Sequence, residues 1–384
     1  MRVATLLLLA TTCTGGWEAL QPDFASRNVL VSPLAASSTQ PPAMLVYLTG
    51  HVRTFFSISE QMVALLDATA GGSSYAVFMH TWDELDHGDS VWWRRKAEVT
   101  SATAHFKPPD IARSLSDSRL NAFWGTRRFV ARVDSHPGSA AISERYNTTK
   151  LNRHCMQGIQ CIDHAVAQLH ELRLAHTLAE AHLRPRNAWP LDLGETDGNG
   201  GHTGSAARTP VVKSRPDVLL SEGWKSSAQL SRMRKAFASA SAGGRVLGHT
   251  GPWKGGFGDI AWVIALDPLN RVLSQVDEKG LAPLLKDDSR NGFWAVKTLV
   301  RAKAERMYHA EQAWREVLVK SGFESFVTGW FAGLAKGRLV KFENGTVGVD
   351  RWHCYRQNSW TELQPWLQAH GLAKTYMPIA LTLS

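Results

Sequence analysis

The sequence is poor in cysteine, lacks long apolar stretches and contains no extended basic run. Four cysteines in 384 residues exclude a small scaffold held together by disulfides. No apolar stretch reaches the roughly 20 residues of a membrane-spanning helix, so we expect no membrane span in the mature chain. The basic residues are scattered and do not alternate with aromatic ones, which argues against nucleic acid as a partner.

The composition that remains is that of a globular protein with a sizeable core. Hydrophobic residues make up 44% of the chain and charged residues 20%. The 31 glycines follow no fixed spacing, which excludes collagen-like and solenoid repeats. A formal net charge of +9 favours an anionic partner, such as a ligand that carries phosphate.

The first residues are typical of a targeting segment. Arg2 precedes the apolar run Val3–Ala10, and small residues follow, so residues 1–20 are predicted to be a secretory signal peptide. The Ser-, Ala- and Pro-rich residues 21–42 are predicted to be a linker. A Ser-rich, acid-poor stretch behind a signal also fits a plastid-targeting extension.

Two glycosylation sequons agree with the secretory route. They begin at Asn147 and Asn344. We therefore expect a glycoprotein in the lumen of the ER or Golgi, or a secreted protein.

The body of the chain alternates between buried strands and amphipathic helices. Apolar runs predict strands at Ala43–Thr49 and Tyr75–Met79, and helical spacing is found at Ser57–Ala68 and from about Met156 to Leu183. This alternation predicts an α/β fold: a single Rossmann-like domain with a mostly parallel central sheet flanked by helices.

Further predicted elements and the bounds of the domain follow from the same patterns. Additional strands or helices are predicted at Phe129–Val133, Val211–Leu220, Ala261–Leu266, Ala295–Lys303 and Ala310–Val319. The predicted domain spans 43–340, with a flexible Gly-rich loop at 192–210, and 341–384 is a C-terminal extension.

Polar residues follow the predicted strands, where ligands bind in open α/β sheets. Glycine permits a close backbone approach there, and arginine pairs with phosphate through two hydrogen bonds. The candidates are Gly50, His51, Arg53 and Thr54 after the first strand, Thr81, Trp82 and Asp83 after the second, and Lys213, Arg215 and Asp217 around the third.

Several of these segments together resemble one family. They are Gly50–Phe55, Phe78–Asp83, Asn152–Leu172, Val211–Val218, Gly258–Ala261 and His309–Trp314. In this order, which holds from about Met44 to Leu334, they are similar to the motifs of polysaccharide-type glycosyltransferase-like proteins. The sequence departs from the pattern at Ala310, where proline is usual, and at Pro216, inside the Arg-x-Asp motif.

The resemblance implies a GT-A-like nucleotide-diphospho-sugar transferase fold. The expected function is sugar transfer from a nucleotide-diphosphate donor to a glycan or glycoprotein acceptor in the secretory pathway. The Asp-x-Asp metal motif of that fold is missing, and only Asp217 matches its second acid. Mn²⁺ or Mg²⁺ is the expected metal, because both prefer hard oxygen ligands such as those of Asp217 and Asp83.

Sugar transfer assigns further roles to the candidates. The departing diphosphate needs fixed positive charge, which Arg53, Lys213 and Arg215 supply. An inverting reaction needs a carboxylate base, for which Asp259 and Glu311 are equal candidates. Two alternatives remain: a secreted carbohydrate-binding protein with a degenerate transferase fold, and a luminal sulfotransferase.

Overall fold

The computed structural model describes fourteen segments of the chain. They are residues 29–52, 55–70, 75–82, 99–101, 124–148, 161–193, 208–216, 226–242, 245–250, 257–279, 324–328, 338–342, 347–350 and 376–378. Their strands are β1 (Val29–Val31), β2 (Met44–Thr49), β3 (Tyr75–Trp82), β4 (Val99–Ser101), β5 (Arg128–Asp134), β6 (Pro210–Ser214), β7 (Arg245–Thr250), β8 (Phe257–Ala265), β9 (Glu324–Thr328), β10 (Arg338–Phe342), β11 (Val347–Asp350) and β12 (Tyr376–Pro378). Their α-helices are α1 (Pro33–Ser37), α2 (Phe55–Ala70), α3 (Ser139–Arg145), α4 (Cys161–Leu183), α5 (Ser227–Ser241) and α6 (Leu266–Lys279).

The central sheet has eight strands in the order β1-β5-β3-β2-β6-β8-β7-β9. The pairs β5-β3, β3-β2, β2-β6 and β7-β9 are parallel. The pairs β1-β5, β6-β8 and β8-β7 are antiparallel. The sheet is therefore mixed, and the helices beside it make the fold α/β as expected.

The expectation of a mostly parallel sheet is not confirmed, because β8 is antiparallel to both of its neighbours. Only residues 251–256 separate β7 from β8, and a connection this short joins antiparallel neighbours. The apolar pattern that predicts a buried strand says nothing about its direction. Residues 295–303 and 310–319, where further helical or apolar pieces are predicted, lie outside the described residues.

A second sheet has the order β12-β11-β10-β4. β10 pairs antiparallel with both β11 and β4, and β11 pairs parallel with β12. Residue 340, the predicted boundary between the domain and the C-terminal extension, therefore lies within strand β10. The partner strand β4 belongs to the predicted domain.

Part of the stretch predicted as a linker is ordered against the sheet. β1 pairs with β5, and Pro33 starts α1 directly after the N-cap Ser32, whose Oγ accepts a hydrogen bond from the Ala35 amide at 3.2 Å. The Ser32 Oγ also donates to the carbonyl oxygen of Arg127. Composition alone does not reveal such pairing, because Ser and Pro are as common at helix starts as in linkers.

The sheet separates two apolar cores, because side chains of a strand point alternately to its two faces. On the α4 face, residues such as Leu45 and Phe78 pack with the Leu169 side of α4. On the α2 face, residues such as Val46 pack with Leu66 of α2 and its neighbours. β2 and β3 are buried along their whole length, as their continuous apolar runs predict.

Candidate ligand-binding site

The chain order of four neighbouring strands identifies one edge of the sheet. Along β5-β3-β2-β6, the strands are the third, second, first and fourth of the parallel set in chain order. The chain therefore runs outwards from β2 through β3 to β5 on one side, and then returns to form β6 on the other side of β2. In open α/β sheets the ligand crevice lies outside the carboxyl ends of the strands at such a switch point.

Gly50 lies at this switch point and directly follows β2. Its φ of +114° is a backbone conformation that side chains disfavour. A Cβ placed on Gly50 would lie 3.7 Å from Oε2 of Glu171, in α4, and 3.9 Å from Cδ of Pro216, after β6. The ends of β2 and β6 therefore approach α4 at a glycine, whose missing side chain would contact both neighbours.

The β6 end supplies positive charge. Lys213 is 1% exposed and follows Val211 on the α4 face by strand alternation, while Arg215 beyond the strand end is half-buried. Because β8 runs antiparallel, with Ser214 opposite Ala261, its first residues approach the same edge. The backbone of Asp259 therefore lies near this edge.

The β3 end supplies a buried indole held by a carboxylate. Nε1 of Trp82 donates to Oε1 of Glu171 at 2.6 Å. The ring lies parallel to His170 at 6.1 Å and edge-on to both His80 and His136 at 4.7 Å. These three rings surround the indole, so in this packing Trp82 contacts protein side chains and fixes Glu171.

The β5 end supplies an ion pair with a buried histidine. Oδ2 of Asp134 is 3.0 Å from Nε2 of His80 and 2.8 Å from Nε of Arg132. Burial acts to raise the pKa of Asp134, but the hydrogen bond and charge of His80, together with Arg132, outweigh it and hold this pKa below its usual value. Asp134 is therefore ionised, and it fixes the orientation of the His80 ring.

A second histidine supports the indole from α4. Nδ1 of His170 lies 3.0 Å from the hydroxyl of Tyr146. Burial, followed by the charges of His80 and nearby arginines, lowers the pKa of His170 to about 3. His170 is thus neutral at physiological pH and acts as a packing and hydrogen-bonding group.

The structure brings together part of the set expected from sequence. Gly50, His51, Trp82, Lys213 and Arg215 all lie at the carboxyl edge around the switch point. Thr81 follows Met79 on the α2 face, so the sheet lies between its side chain and that of Trp82. Arg53, Thr54, Asp83, Asp217 and Glu311 lie outside the described residues, as do the predicted signal peptide, Asn344 and the loop residues 194–207.

Sequence reasoning missed the two acids of the site. Asp134 ends β5, and extending the search for polar strand ends to the third parallel strand would have found it. Glu171 lies between Leu169 and Leu172 in a helix that is buried on most sides, so its apolar stripe hides a single acid. No sequence pattern marks Glu171, because its role depends on α4 crossing the end of β3.

The described acids of this edge are already engaged by protein groups. Asp134 pairs with Arg132 and His80, and Glu171 accepts from Trp82. Across the described segments, no group of three or more His, Cys, Asp or Glu side chains is arranged to hold a metal ion. These residues alone do not form the expected Mn²⁺ or Mg²⁺ site, whose proposed ligands Asp217 and Asp83 belong to other segments.

Two further findings concern membrane-spanning helices and similarity to known proteins. No described helix is both long enough and apolar enough to cross a membrane. No protein-family model matches the chain, and no curated protein or solved structure matches it either.

Proposed function

We propose that the protein is a glycosyltransferase that moves a sugar from a nucleotide-diphosphate donor to a glycan or glycoprotein acceptor in the secretory pathway. The observation that carries the proposal is the meeting of Gly50, Lys213 and Arg215 at the β2-β6 switch point. Two cations at the carboxyl edge of the sheet favour an anionic group, and a diphosphate is such a group.

The finer fold assignment is part of the same proposal. We assign the β5-β3-β2-β6 half to a Rossmann-like domain of the GT-A type, since nucleotide-binding α/β sheets share this strand order. The resemblance of the segments around Gly50, Trp82 and Arg215 to glycosyltransferase-like proteins supports the donor class.

In the proposed reaction the acceptor hydroxyl attacks the anomeric carbon of the donor sugar. The bond from this carbon to the diphosphate oxygen breaks, and the nucleoside diphosphate leaves with the electron pair. Lys213, in a site that excludes water, and Arg215 stabilise the charge that develops on the leaving group. The hydroxyl proton passes to a carboxylate, for which Asp259 and Glu311 are the candidates.

A divalent cation held by Asp217 would add further positive charge at the diphosphate. Arg53, His51 and Thr54 complete the proposed donor site on the β2 side, and Asp83 completes it on the β3 side.

Donor hydrolysis and thermal shift on the full chain test the proposal, with UDP-glucose, UDP-N-acetylglucosamine and GDP-mannose, each with and without MnCl₂. We expect Lys213→Met and Arg215→Ala each to lower turnover about 100-fold, because each removes a charge from the leaving group. Asp217→Asn and EDTA should abolish turnover if the acid holds the metal. Arg184→Ala is the matched control, since Arg184 is 52% exposed and pairs with Glu180 and Asp192.

The alternatives are outcomes of the same experiment. If no nucleotide sugar binds or turns over but oligosaccharides bind, the protein is a carbohydrate-binding protein. If a sulfated adenosine phosphate binds in place of nucleotide sugars, the protein is a sulfotransferase. Either result contradicts the proposed donor class.

A further inference from the structure

Two residues with buried polar side-chain atoms are neighbours near the ends of β2 and β3. Thr49 and His80 are opposite each other in the parallel register, and adjacent strands are about 4.8 Å apart. Thr49 follows Tyr47 and His80 follows Phe78 on the α4 face, so both side chains point to the same side of the sheet. Thr49 is 1% exposed and His80 is 0% exposed.

Neither atom has a hydrogen-bond partner within the described part of the chain. These atoms are Oγ1 of Thr49 and Nδ1 of His80. Buried polar atoms in folded proteins are satisfied with few exceptions, and an exception at a ligand edge requires an explanation. A single hydroxyl group between the two side chains would satisfy both.

The hydrogen-bonding roles of the two atoms define the missing group. Asp134 can only accept, so Nε2 of His80 carries the hydrogen in the 3.0 Å bond between them. Nδ1 of His80 accepts a hydrogen bond when the ring is neutral and donates one when the ring is protonated, and a hydroxyl group can meet either need. The hydroxyl of Thr49 also both donates and accepts, so a ligand hydroxyl fits the pair.

Glu171 adds a carboxylate, which is a hydrogen-bond acceptor, on the same face. Its Oε1 is held by Trp82, and its Oε2 approaches Gly50, the residue that follows Thr49. A carboxylate accepts hydrogen bonds from hydroxyls and repels phosphate. The β2-β3 side of the edge is therefore rich in acceptors, whereas the β6 side carries Lys213 and Arg215.

We propose that Thr49, His80 and Glu171 form a hydroxyl-recognition subsite, which binds the sugar or ribose hydroxyls of a ligand whose phosphates lie towards β6. The inference rests on the proposed function and adds to it the orientation of the donor. Asp134 and Trp82 are positioning residues in this arrangement, because each holds one of the recognising side chains.

Calorimetry on the full chain measures binding of UDP-glucose, UDP, 2′,3′-dideoxy-UDP and inorganic pyrophosphate, and of the corresponding GDP-mannose series. Thr49→Val and Glu171→Gln should weaken UDP-glucose or GDP-mannose about tenfold and leave pyrophosphate unchanged. If the dideoxy nucleotide is insensitive to the variants and UDP is sensitive, the recognised hydroxyls belong to ribose. If both nucleotides are insensitive and UDP-glucose is sensitive, they belong to the sugar.

Matched controls separate recognition from folding. Thr81→Val removes another buried hydroxyl that lacks a partner in the described chain, but on the α2 face, and Glu180→Gln repeats the acid substitution elsewhere in α4. Both should leave all affinities unchanged. Without ligand, Thr49→Val should keep or raise the melting temperature, because it removes an unsatisfied hydroxyl.

Three results overturn the inference. One is equal weakening of pyrophosphate and UDP-glucose by Thr49→Val. Another is a lower melting temperature of Thr49→Val with unchanged affinities, which means that an internal water satisfies the pair. The third is that the protein binds neither the nucleotides nor oligosaccharides of glucose and mannose, in which case both proposals are wrong. If only oligosaccharides bind and Thr49→Val weakens them, the subsite stands and the nucleotide donor does not.

Discussion

Both faces of the central sheet carry an apolar core, but the two faces differ in chemistry. On the α2 face the buried side chains of α2 are apolar or carry a hydroxyl, as Leu66 and Thr69 do. On the α4 face a single helix buries five ionisable side chains. They are His170, Glu171, Arg173, His176 and His182.

We interpret this difference as one between a face that serves stability and a face that serves the proposed ligand. Buried ionisable groups cost free energy unless each is paired or neutral. Several on α4 have partners: Nδ1 of His176 is 3.1 Å from the hydroxyl of Tyr47, and Nε2 of His182 is 3.1 Å from the Ala35 carbonyl oxygen. The same helix presents Glu171 to the switch point, so its polar network also fixes the site.

The largest expected effect is a loss of stability in mild acid, which arises from the histidines of the α4 face. Burial is the main cause that lowers the pKa of His170 to about 3 and the pKa values of His176 and His182 to about 4. The unfolded chain binds these protons from about pH 6.5 downwards, so stability is complete above pH 6.5 and falls towards pH 4. At about 2 kcal/mol per histidine, the loss between pH 7 and pH 5 is on the order of 5 kcal/mol.

Urea denaturation at pH 7, 6 and 5 measures this loss. The pKa values of Asp67 and Asp134 are lowered, so these two groups change the stability only below this pH range. Burial raises the pKa of Glu180, so its protonation near pH 4.5 favours the folded state and opposes the loss. His182→Gln should reduce the pH dependence by about a third. A free energy of unfolding that stays constant from pH 7 to pH 5 would refute the burial of neutral histidines on this face.

The next largest effect is a loss of stability caused by a substitution on the α2 face. Leu66→Ala removes a side chain that is 3% exposed and leaves a cavity, which should lower the free energy of unfolding by about 3 kcal/mol. Ligand affinity should not change, since α2 packs on the opposite face. Leu193→Ala, at a residue that is 54% exposed, is the control and should change stability by less than about 0.5 kcal/mol. Weaker ligand binding in Leu66→Ala would mean that the two faces are coupled.

A smaller effect is expected at Gly50, where the faces meet. Gly50→Ala forces a side-chain residue into φ +114°, which should cost about 1–2 kcal/mol. The new methyl group would contact Glu171 and Pro216 at ordinary distances, so the cost comes from the backbone. Gly138 is the matched control, because its φ is +86° and a Cβ placed on it would meet no atom within 4 Å. Gly138→Ala should lower the free energy of unfolding by a similar amount and keep full ligand affinity.

The smallest effect concerns an ion pair at the margin of the α2 face. Arg127 pairs with Asp67, which also accepts from the Tyr75 hydroxyl at 2.7 Å, and the Arg127 and Asp67 side chains are 26% and 40% exposed. Because solvent screens such pairs, Arg127→Ala should cost about 0.5–1 kcal/mol, and less in high salt. Denaturation with and without 1 M NaCl tests the screening. A loss that is larger and independent of salt would show that the pair acts by packing.

The segments most accessible to sequence analysis are those whose signal is local. β2, β3, β5, α2 and the described part of the Met156–Leu183 helix all correspond to predicted elements, because apolar runs and helical spacing follow directly from burial. Gly50, Lys213 and Arg215 were found because polar residues that follow such a run belong to a strand end. The direction of β8 and the pairing of β1 depend on contacts distant in sequence and could not be inferred in this way.

The α4 face shows why part of the site escapes such analysis. Glu171 contributes through its distance to Trp82 and Gly50, and no residue spacing encodes either distance. Asp134 is separated from its partner His80 by 54 positions in the chain. A single sequence indicates which residues end strands, but the pairing of acids with their donors follows from packing.

The short strand β1 has a consequence for solubility. It covers the outer side of β5 with three residues, and the sheet order ends there. Without it, the seven-residue β5 would present a row of unpaired amides and carbonyls, which can template pairing with another chain. A variant that begins after Ser37 should therefore remain folded around β2 and β3 yet self-associate, so we expect residues 29–37 to protect the chain from aggregation.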